Sequence, residues 1–506
     1  MPPSSPSSPS SPSSPPSSPS SGRSPTLAQA LIPIGVLVAL LASSVYLFGD
    51  ESSGGPNQIA LILSAFTGVL IGVLNGHSWK SIEEGIVHGI SLALGAVLIL
   101  LVVGALIGTW ILAGVVPTMI DYGLAVLTPG LFYAAACAIC CIVALATGSS
   151  WTTAGTIGVA LVGIATAQNL HLGLAAGAII SGAYFGDKMS PLSDTTNLAP
   201  AMAGTELFTH IRHMLWTTVP SIVMALTLFA IIGANAAAPA ETGSVEGIRT
   251  ALRAQFAIGP HLLIPVLLVI GLVIRRMPAL PALMIGALAG CVFAVLFQAE
   301  AVLTYVGATD LPRGVALVKG GWMALFAGYT LASGNEALDQ LLSRGGMGSM
   351  LPTVWLILSA MMFGAVMETT GMLQRVAAGI LGAVRGTGSL VAATLATAIG
   401  MNVIASDQYI AIVLPGRMFR AEYRRRGLHP KNLSRTLEDG GTLTSPLVPW
   451  NTCGAFMAQT LGVATFTYAP FAFFNLINPL VALAYGLTGF TIEPLAPEAQ
   501  DEAVVG

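Results

Sequence analysis

Apolar stretches about as long as a bilayer-spanning helix recur along most of the chain, from Leu27 to Tyr485. Of the 506 residues, 54% are hydrophobic and only 8% are charged, a balance that excludes an ordinary soluble globular protein. Strands of alternating polarity separated by turn residues are absent, which argues against a transmembrane barrel. The sequence therefore predicts an all-α polytopic membrane protein with about ten to thirteen passes or partial passes, each full pass taking about 20 residues.

Several classes of protein are disfavoured by composition. The net charge of −3 is too small to indicate a nucleic-acid partner. No Gly-rich phosphate loop ending in Lys-Ser/Thr is present, so we expect neither an ATP-driven pump nor a membrane enzyme, and no cofactor. The cysteines lie in apolar or small-residue runs, where cysteine acts as a small hydrophobe; they are Cys137, Cys140, Cys141, Cys291 and Cys453.

Two polar segments interrupt the apolar sequence. Residues 186–200 read GDKMSPLSDTTNLAP and residues 439–453 read DGGTLTSPLVPWNTC. Each contains Ser-Pro-Leu, several side-chain oxygens and an Asn. Non-helical backbone survives inside a bilayer only where protein or water satisfies it, and paired broken helices form the ion sites of secondary transporters. The sequence therefore predicts two discontinuous helices beside a hydrated cavity.

The order of parts around these segments repeats, and the basic residues indicate that the two copies have opposite orientation. No Lys or Arg lies between Val115 and Gly186. The matching second-half stretch carries Arg375, Arg385, Arg417, Arg420, Arg424, Arg425, Arg426, Lys431 and Arg435. After the polar segments the asymmetry reverses, with Arg212 in the first half and nothing basic after Arg435. Because basic loops mark the cytoplasmic side, we predict two inverted-topology repeats, each with a re-entrant hairpin and a discontinuous helix.

This scheme assigns positions to the membrane segments. In the first repeat we expect helices near 27–48, 57–75 and 86–112, a hairpin at 131–163 with its tip at ATGSSWTT, and a discontinuous helix at 173–203. The second repeat opens with helices at 259–274 and 279–298, joined by cytoplasmic Arg275 and Arg276. Arg313, Lys319 and Arg344 fall on the outer side and count against the scheme.

The predicted organisation has five parts. They are a disordered Pro/Ser-rich tail (1–26), a first repeat (27–234), an extracytoplasmic linker (235–258), a second repeat (259–488) and an acidic C-terminal tail (489–506). Both termini are expected in the cytoplasm, with the protein in the cell (inner) membrane.

The polar segments and hairpin tips supply candidate ligands for a small hard cation. Such cations prefer oxygen ligands, and the exposed carbonyls of a half-helix C-terminus favour them further. The candidates are Asp194, Thr195, Thr196 and Asn197 at the first break, Ser149 and Ser150 at the first hairpin tip, Asn402, Ser406 and Asp407 at the second tip, and Asn451 and Thr452 at the second break.

Intramembrane acids are the candidate proton carriers, because an ionised side chain at the bilayer centre costs about 2.5–3.5 kcal/mol. They are Asp194, Asp407, Asp187 and Glu368. Asp194 and Asp407 are preferred because they lie at the paired breaks. A carboxylate can hold a proton or Na⁺ but not both, and this competition is the simplest basis for exchange.

Each acid also has a structural interpretation. Asp194 could cap a helix, Asp407 could pair with Arg417, Asp187 could pair with Lys188, and Glu368 could be a helix-end residue near the cytoplasm. His210 and His213, which flank Arg212, are expected in a solvated loop.

Two longer runs carry a family resemblance. The run ISGAYFGDKMSPLSDTTNLAPAMAGTELFTHIRHMLWTTVPS resembles the first signature of NhaC-type Na⁺/H⁺ antiporters, and SDQYIAIVLPGRMF with SPLVPWNTCGAFMAQTLGV resembles the second. The resemblance covers most of residues 27–490. It implies the ion transporter superfamily fold, with inverted repeats, paired hairpins and discontinuous helices, and a homodimer with elevator-like motion.

The sequence thus predicts a secondary antiporter that exchanges cytoplasmic Na⁺ for external H⁺ by alternating access. The alternative is a Na⁺/H⁺-coupled organic acid exchanger of the malate/lactate type, for which Lys188 is the one well-placed basic residue. A passive channel fits less well, because channels need a continuous pore.

Overall fold

The computed structural model describes residues 23–48, 52, 54–236, 242–307, 310–332, 336–382 and 384–495. Most of the predicted N-terminal tail (1–22) and most of the predicted C-terminal tail (496–506) lie outside the described residues, as do residues 237–241 of the predicted linker. The described residues fold almost entirely into helices. The prediction of an all-α protein is confirmed.

The first half of the chain contains eleven helices in its described part. They are α1 (Leu27–Phe48), α2 (Pro56–Leu74), α3 (Trp79–Leu112), α4 (Val115–Val126), α5 (Phe132–Thr147), α6 (Ser150–Thr153), α7 (Val159–Ala167), α8 (Leu172–Met189), α9 (Asp194–Ala203), α10 (Leu207–Ala236) and α11 (Thr242–Gln255). A π-helical turn (Ala154–Gly158) joins α6 to α7 without a gap.

The second half contains thirteen helices in its described part. They are α12 (Ile264–Ile274), α13 (Ala279–Phe297), α14 (Ala299–Val306), α15 (Arg313–Ala327), α16 (Glu336–Leu342), α17 (Leu351–Thr369), α18 (Met372–Leu381), α19 (Thr387–Ile404), α20 (Gln408–Arg425), α21 (Pro430–Leu437), α22 (Thr452–Leu461), α23 (Thr465–Tyr468) and α24 (Phe473–Thr488). A second π-helical turn (Glu438–Thr442) extends α21. Short 3₁₀ turns lie at Pro260–Leu263, Met347–Met350, Ser445–Leu447 and Ala469–Phe471.

Eight helices in the described residues are long and apolar enough to cross a membrane, or up to ten if each of two bent helix pairs counts as one span. Three shorter apolar helices, α4, α5 and α18, are candidate partial passes. The helices predicted from the apolar runs of both halves are present, and a break separates α8 from α9 at the first Ser-Pro-Leu segment. The chain is a multi-pass membrane protein.

The order of elements in α3–α10 recurs in α17–α24. A glycine with φ of 74° follows each leading helix, Gly114 after α3 and Gly371 two residues after α17. The half-helices α9 and α22 each have ten residues and each end at a left-handed glycine, Gly204 or Gly462. These matches support the repeat; the inverted orientation of the two copies stays a prediction.

The two halves pack against each other at these half-helices. α9 lies against α20 of the second half, and α22 lies against the π-helical turn between α6 and α7 of the first half. Trp151 stacks on Phe456 with ring centroids 4.0 Å apart and planes 13° apart. Each broken helix is therefore held by the hairpin of the other half.

Proline explains where each broken helix stops. A residue that precedes proline is disfavoured in helical conformation. Ser190, before Pro191, is extended with ψ of 130°, and Val448, before Pro449, is extended with ψ of 116°. The backbone therefore leaves the helix at Ser190 in the first half and at Val448, directly after the 3₁₀ turn Ser445–Leu447, in the second. It re-enters the helix at Asp194 and at Thr452.

Small residues bring α5 and α8 into close contact. A Cβ atom added to Gly182 would overlap the carbonyl oxygen of Cys137, and one added to Gly186 would overlap the side chain of Ala144. Such close approach of backbones is the usual way that helices pack tightly within membranes. It brings the break after α8, at Leu192 and Ser193, alongside the hairpin tip at Gly148.

α11 occupies part of the stretch predicted as a linker. Its Arg249 and Arg253 both donate to the buried carboxylate of Asp121 on α4, with distances of 2.9–3.1 Å. The segment between the halves is therefore a docked helix in its described part.

We expect Gly182→Ala to destabilise the protein, because the added methyl group meets backbone of α5 that cannot move freely. Overpacking of this kind costs about 1–3 kcal/mol or more. Gly95→Ala, on the exposed face of α3 with no atom within 4 Å of the new Cβ, is the matched control. Thermal unfolding of both variants in detergent measures the difference, and equal midpoints would contradict the packing argument.

Candidate functional site

The first polar centre forms where the hairpin tip after α5 meets the break after α8. Asp187, near the end of α8, accepts hydrogen bonds from the hydroxyls of Ser150 and Ser193, each at 2.6 Å. All three side chains are buried. In the described part of the chain, no Lys, Arg or His side chain forms an ion pair with Asp187. Within the described residues the carboxylate is held by uncharged donors, the two hydroxyls and the backbone N–H of Ser150.

Most other predicted ligands at this centre form hydrogen bonds with backbone groups. The Thr196 hydroxyl donates to the carbonyl oxygens of Asp187 at 2.8 Å and Lys188 at 2.9 Å, which closes the end of α8. Ser149 accepts from the N–H of Thr152 at 3.1 Å and so caps α6. The Thr195 hydroxyl lies 3.2 Å from that of Ser193, beside the Asp187 centre.

Asp194 and Asn197 lie on the exposed side of the break. Asp194 is the first residue of α9, where the helix dipole favours a negative charge, and it accepts from the Tyr409 hydroxyl at 3.4 Å. Asn197 donates to the carbonyl oxygens of Pro191 and Ser193 at 2.9 and 2.7 Å. The buried acid of the first break is therefore Asp187 rather than Asp194.

The second polar centre forms where the tip between α19 and α20 meets the break before α22. Asp407, the N-cap residue of α20, accepts from the N–H groups of Tyr409 and Ile410 at 2.9 and 3.1 Å. Its other oxygen accepts from the Thr452 hydroxyl at 3.4 Å. Asp407 is buried, and the alternative pairing with Arg417 is not formed.

Two asparagines connect the tip between α19 and α20 to the break before α22 by hydrogen bonds. Asn451 donates to the side-chain oxygen of Asn402 at 3.1 Å, and Asn402 donates to the carbonyl oxygen of Gly441 at 2.6 Å. The Thr452 N–H donates to the carbonyl oxygen of Ser406 at 3.0 Å. Ser406 has a left-handed φ of 59°, a strained conformation of the kind found at functional sites. Its buried hydroxyl has no hydrogen-bond partner within the described residues.

Tyr409 lies close to both centres. Its hydroxyl is within electrostatic range of Asp187, Asp194 and Asp407. The fourth predicted acid, Glu368, is exposed near the C-terminal end of α17 and forms part of neither centre. The structure thus brings three of the four predicted acids together.

A buried ion pair beside the first centre was not foreseen from the sequence. Lys188 is fully buried, pairs with Asp439 of the second π-helical turn, and donates to Asn478 of α24 at 2.9 Å. Asp439 also accepts from the Thr217 hydroxyl of α10 at 3.1 Å. Lys188 therefore bonds to Asp439 and not to its neighbour Asp187. The signal for this buried pair in the sequence was the run EDGG at residues 438–441, in which two acids precede two glycines.

The chemistry of these centres follows from their missing counter-ions. A buried ionised carboxylate is costly unless a cation or several donors compensate it. Asp187 and Asp407 have hydroxyl or N–H donors but no cationic side chain as a partner in the described residues. Each is thus suited to hold either a proton or a small cation.

Comparison with known proteins assigns the chain to a family. The model of the Na⁺/H⁺ antiporter family matches residues 182–490, which include both polar segments. The Na⁺/H⁺ antiporter NhaC of Alkalihalophilus pseudofirmus is 38% identical over 93% of this chain and 97% of its own length.

Two proteins of Bacillus subtilis are similar to the same extent. Its malate-2H⁺/Na⁺-lactate antiporter is 39% identical over 92% of this chain and 96% of its own length. Its Na⁺/H⁺ antiporter NhaC is 38% identical over 89% of this chain and 95% of its own length. Since the family model covers more than half of the sequence and these relatives align along nearly their whole lengths, the chain belongs to the Na⁺/H⁺ antiporter family.

Proposed function

We propose that the protein exchanges cytoplasmic Na⁺ for external H⁺ by alternating access at Asp187 and Asp407. One observation carries the proposal: each polar centre holds a buried carboxylate that is bonded to hydroxyls or N–H groups and to no basic side chain in the described residues. Membership of the Na⁺/H⁺ antiporter family supports Na⁺ and H⁺ as the transported ions.

The hydroxyl groups around Asp187 suit this exchange. Ser150 and Ser193 donate to the carboxylate in the present arrangement. A hydroxyl can rotate and present its lone pairs, so the same oxygens can face a cation when Na⁺ binds. Na⁺ and a proton then compete for one carboxylate, which links the inward movement of one ion to the outward movement of the other.

Asp194 and Tyr409 suit a different role in the same pathway. Both are exposed, and they contact each other across the two halves of the chain. An exposed carboxylate attracts cations without paying the cost of burial. We therefore assign Asp194 to the aqueous approach, with Asn197 beside it, and the exchange itself to the buried acids.

Further features of the proposal come from the sequence. The distribution of Lys and Arg supports inverted repeats in the inner membrane with cytoplasmic termini. The family resemblance supports a homodimer. In this scheme the half-helices α9 and α22, with their hairpins, move between the two sides of the membrane.

Exchange of an organic acid is the second candidate, because one relative carries malate and lactate in its name. A carboxylate substrate needs a cationic partner in the cavity. Lys188, the basic residue suited to that task, is already bonded to Asp439 and Asn478 and is fully buried. The structure therefore favours exchange of inorganic ions.

We expect Asp187→Asn and Asp407→Asn each to lower Na⁺-driven proton flux in proteoliposomes by at least about tenfold, since an amide can hold neither the proton nor the charge that binds Na⁺. Asp194→Asn is expected to retain most of the flux, with weaker apparent Na⁺ affinity. A pH-sensitive dye reports the flux. Glu300→Gln, a surface residue paired with exposed Arg313, is the control. Normal pH-dependent Na⁺ transport in both buried-acid variants would refute the proposed site.

The two candidate substrates predict different dye responses. We expect Na⁺ alone to drive proton movement in vesicles that contain no organic acid, because no cationic side chain is free to hold a carboxylate in the described site. Malate on one side and lactate on the other should leave the rate unchanged. A response that requires both acids would instead establish the organic acid exchanger.

A further inference from the structure

A second group of buried charges lies in the π-helical turn Glu438–Thr442. Glu438 and Asp439 are both fully buried, and a π-helical turn within a helix is frequent at functional sites. Asp439 is neutralised by Lys188. Neither carboxylate oxygen of Glu438 has a hydrogen-bond partner in the described part of the chain. Glu438 is therefore a buried acid that the exchange at Asp187 and Asp407 does not use.

The surroundings of Glu438 disfavour its ionised form. The ionisable side chains within electrostatic range of Glu438 are Asp187 and Lys188 from α8 and Asp439 from its own turn. Arg435 lies within range of Asp439, of Tyr423 from α20 and of Tyr485 from α24, and His210 from α10 bonds to Ser434, one turn before Glu438. α19, which also packs here, carries no ionisable side chain. Two of the neighbours are acids, and Lys188 is paired with one of them. A carboxyl group in this position is accommodated best when it holds a proton.

A series of polar side chains runs from Glu438 to Glu493 through two contacts and two one-turn steps along a helix. His213 Nδ1 lies 3.7 Å from a carboxylate oxygen of Glu493, whose side chain is 49% exposed. His210 precedes His213 by one turn of α10, and its Nδ1 lies 2.8 Å from the Ser434 hydroxyl. Ser434 precedes Glu438 by four residues, so the two share one helix face. We name this series the polar seam: Glu493, His213, His210, Ser434 and Glu438.

The two histidines of the polar seam are suited to pass protons. Both side chains are buried and both residues belong to α10, so the expectation that they lie in a solvated loop is wrong. Their Nε2 atoms have no hydrogen-bond partner within the described residues. Imidazole can accept a proton at one nitrogen and release one from the other, so a histidine that is neutral at rest can relay a proton. Three other charged or titratable groups face His213, namely Arg435, His429 and Lys431. Lys431 also pairs with Glu493.

We propose that Glu438 is a proton-binding group of the transport cycle, distinct from the cation site, and that the polar seam connects it with water at Glu493. This inference rests on the proposed Na⁺/H⁺ exchange. Glu438 lies within electrostatic range of Asp187. A cation that arrives at Asp187 favours the ionised form of Glu438 and expels its proton along the polar seam. The proton that competes with Na⁺ at Asp187 then reaches water through Glu438 and the polar seam, on a route separate from that of the cation.

The decisive experiment separates proton coupling from sodium movement. Glu438→Gln, reconstituted in proteoliposomes, is assayed for Na⁺-driven proton flux with a pH dye and for exchange of radioactive Na⁺ against unlabelled Na⁺ at equal pH. We expect proton flux to fall at least about tenfold and Na⁺/Na⁺ exchange to stay within about twofold of the unsubstituted protein. Glu300→Gln, an exposed glutamate on α14, should change neither.

Other outcomes would overturn the inference in distinguishable ways. If Glu438→Gln keeps full proton flux, or loses both activities while it folds normally in size-exclusion chromatography, Glu438 is not a separate proton group. Absence of Na⁺-driven proton flux in the unsubstituted protein would instead refute the proposed function itself.

A second variant decides the matter if Glu438→Gln fails to fold. His210→Asn keeps a polar group beside Ser434 but cannot take up a proton at neutral pH. We expect proton flux about tenfold slower with unchanged Na⁺/Na⁺ exchange. Normal proton flux, or an equal loss of both activities, would exclude the polar seam as the proton route.

Discussion

The hydrogen bonds between each helix break and its hairpin tip are the interaction on which this structure depends. A helix can be interrupted inside a membrane only if other groups satisfy the freed backbone. In the first half Thr196 closes the end of α8, and Ser150 and Ser193 meet at Asp187. In the second half the Thr452 N–H binds the carbonyl oxygen of Ser406. The groups that stabilise the breaks thus also form the two buried polar centres.

Much of the fold could be predicted from the sequence, because bilayer-length apolar runs and Ser-Pro-Leu interruptions are local signals. The choice between Asp187 and Asp194 could not be, since it depends on which face of α8 meets the hairpin tip, and the apolar residues around α8 leave that face unspecified. Glu438 and Asp439 follow an arginine-rich stretch that reads as a cytoplasmic loop. Only tertiary packing shows that the π-helical turn after it is buried.

The ion pair between Lys188 and Asp439 has a different significance from the polar centres. A buried pair adds little net stability over apolar residues of the same size, but loss of one partner is strongly destabilising. Here the pair joins α8 of the first half to the π-helical turn of the second and fixes their register. It also engages the positive charge of Lys188, so Asp187 has no cationic partner among the described residues.

The stacking of Trp151 on Phe456, together with the packing of α9 on α20, has a mechanical consequence. Each half contacts the broken helix of the other, so a shift of one break disturbs the packing of its counterpart. In the proposed alternating-access cycle the two polar centres therefore move together. This packing opposes uncoupled ion leakage in that cycle. A partial movement that exposed one carboxylate to each side of the membrane would first have to separate the stacked rings of Trp151 and Phe456.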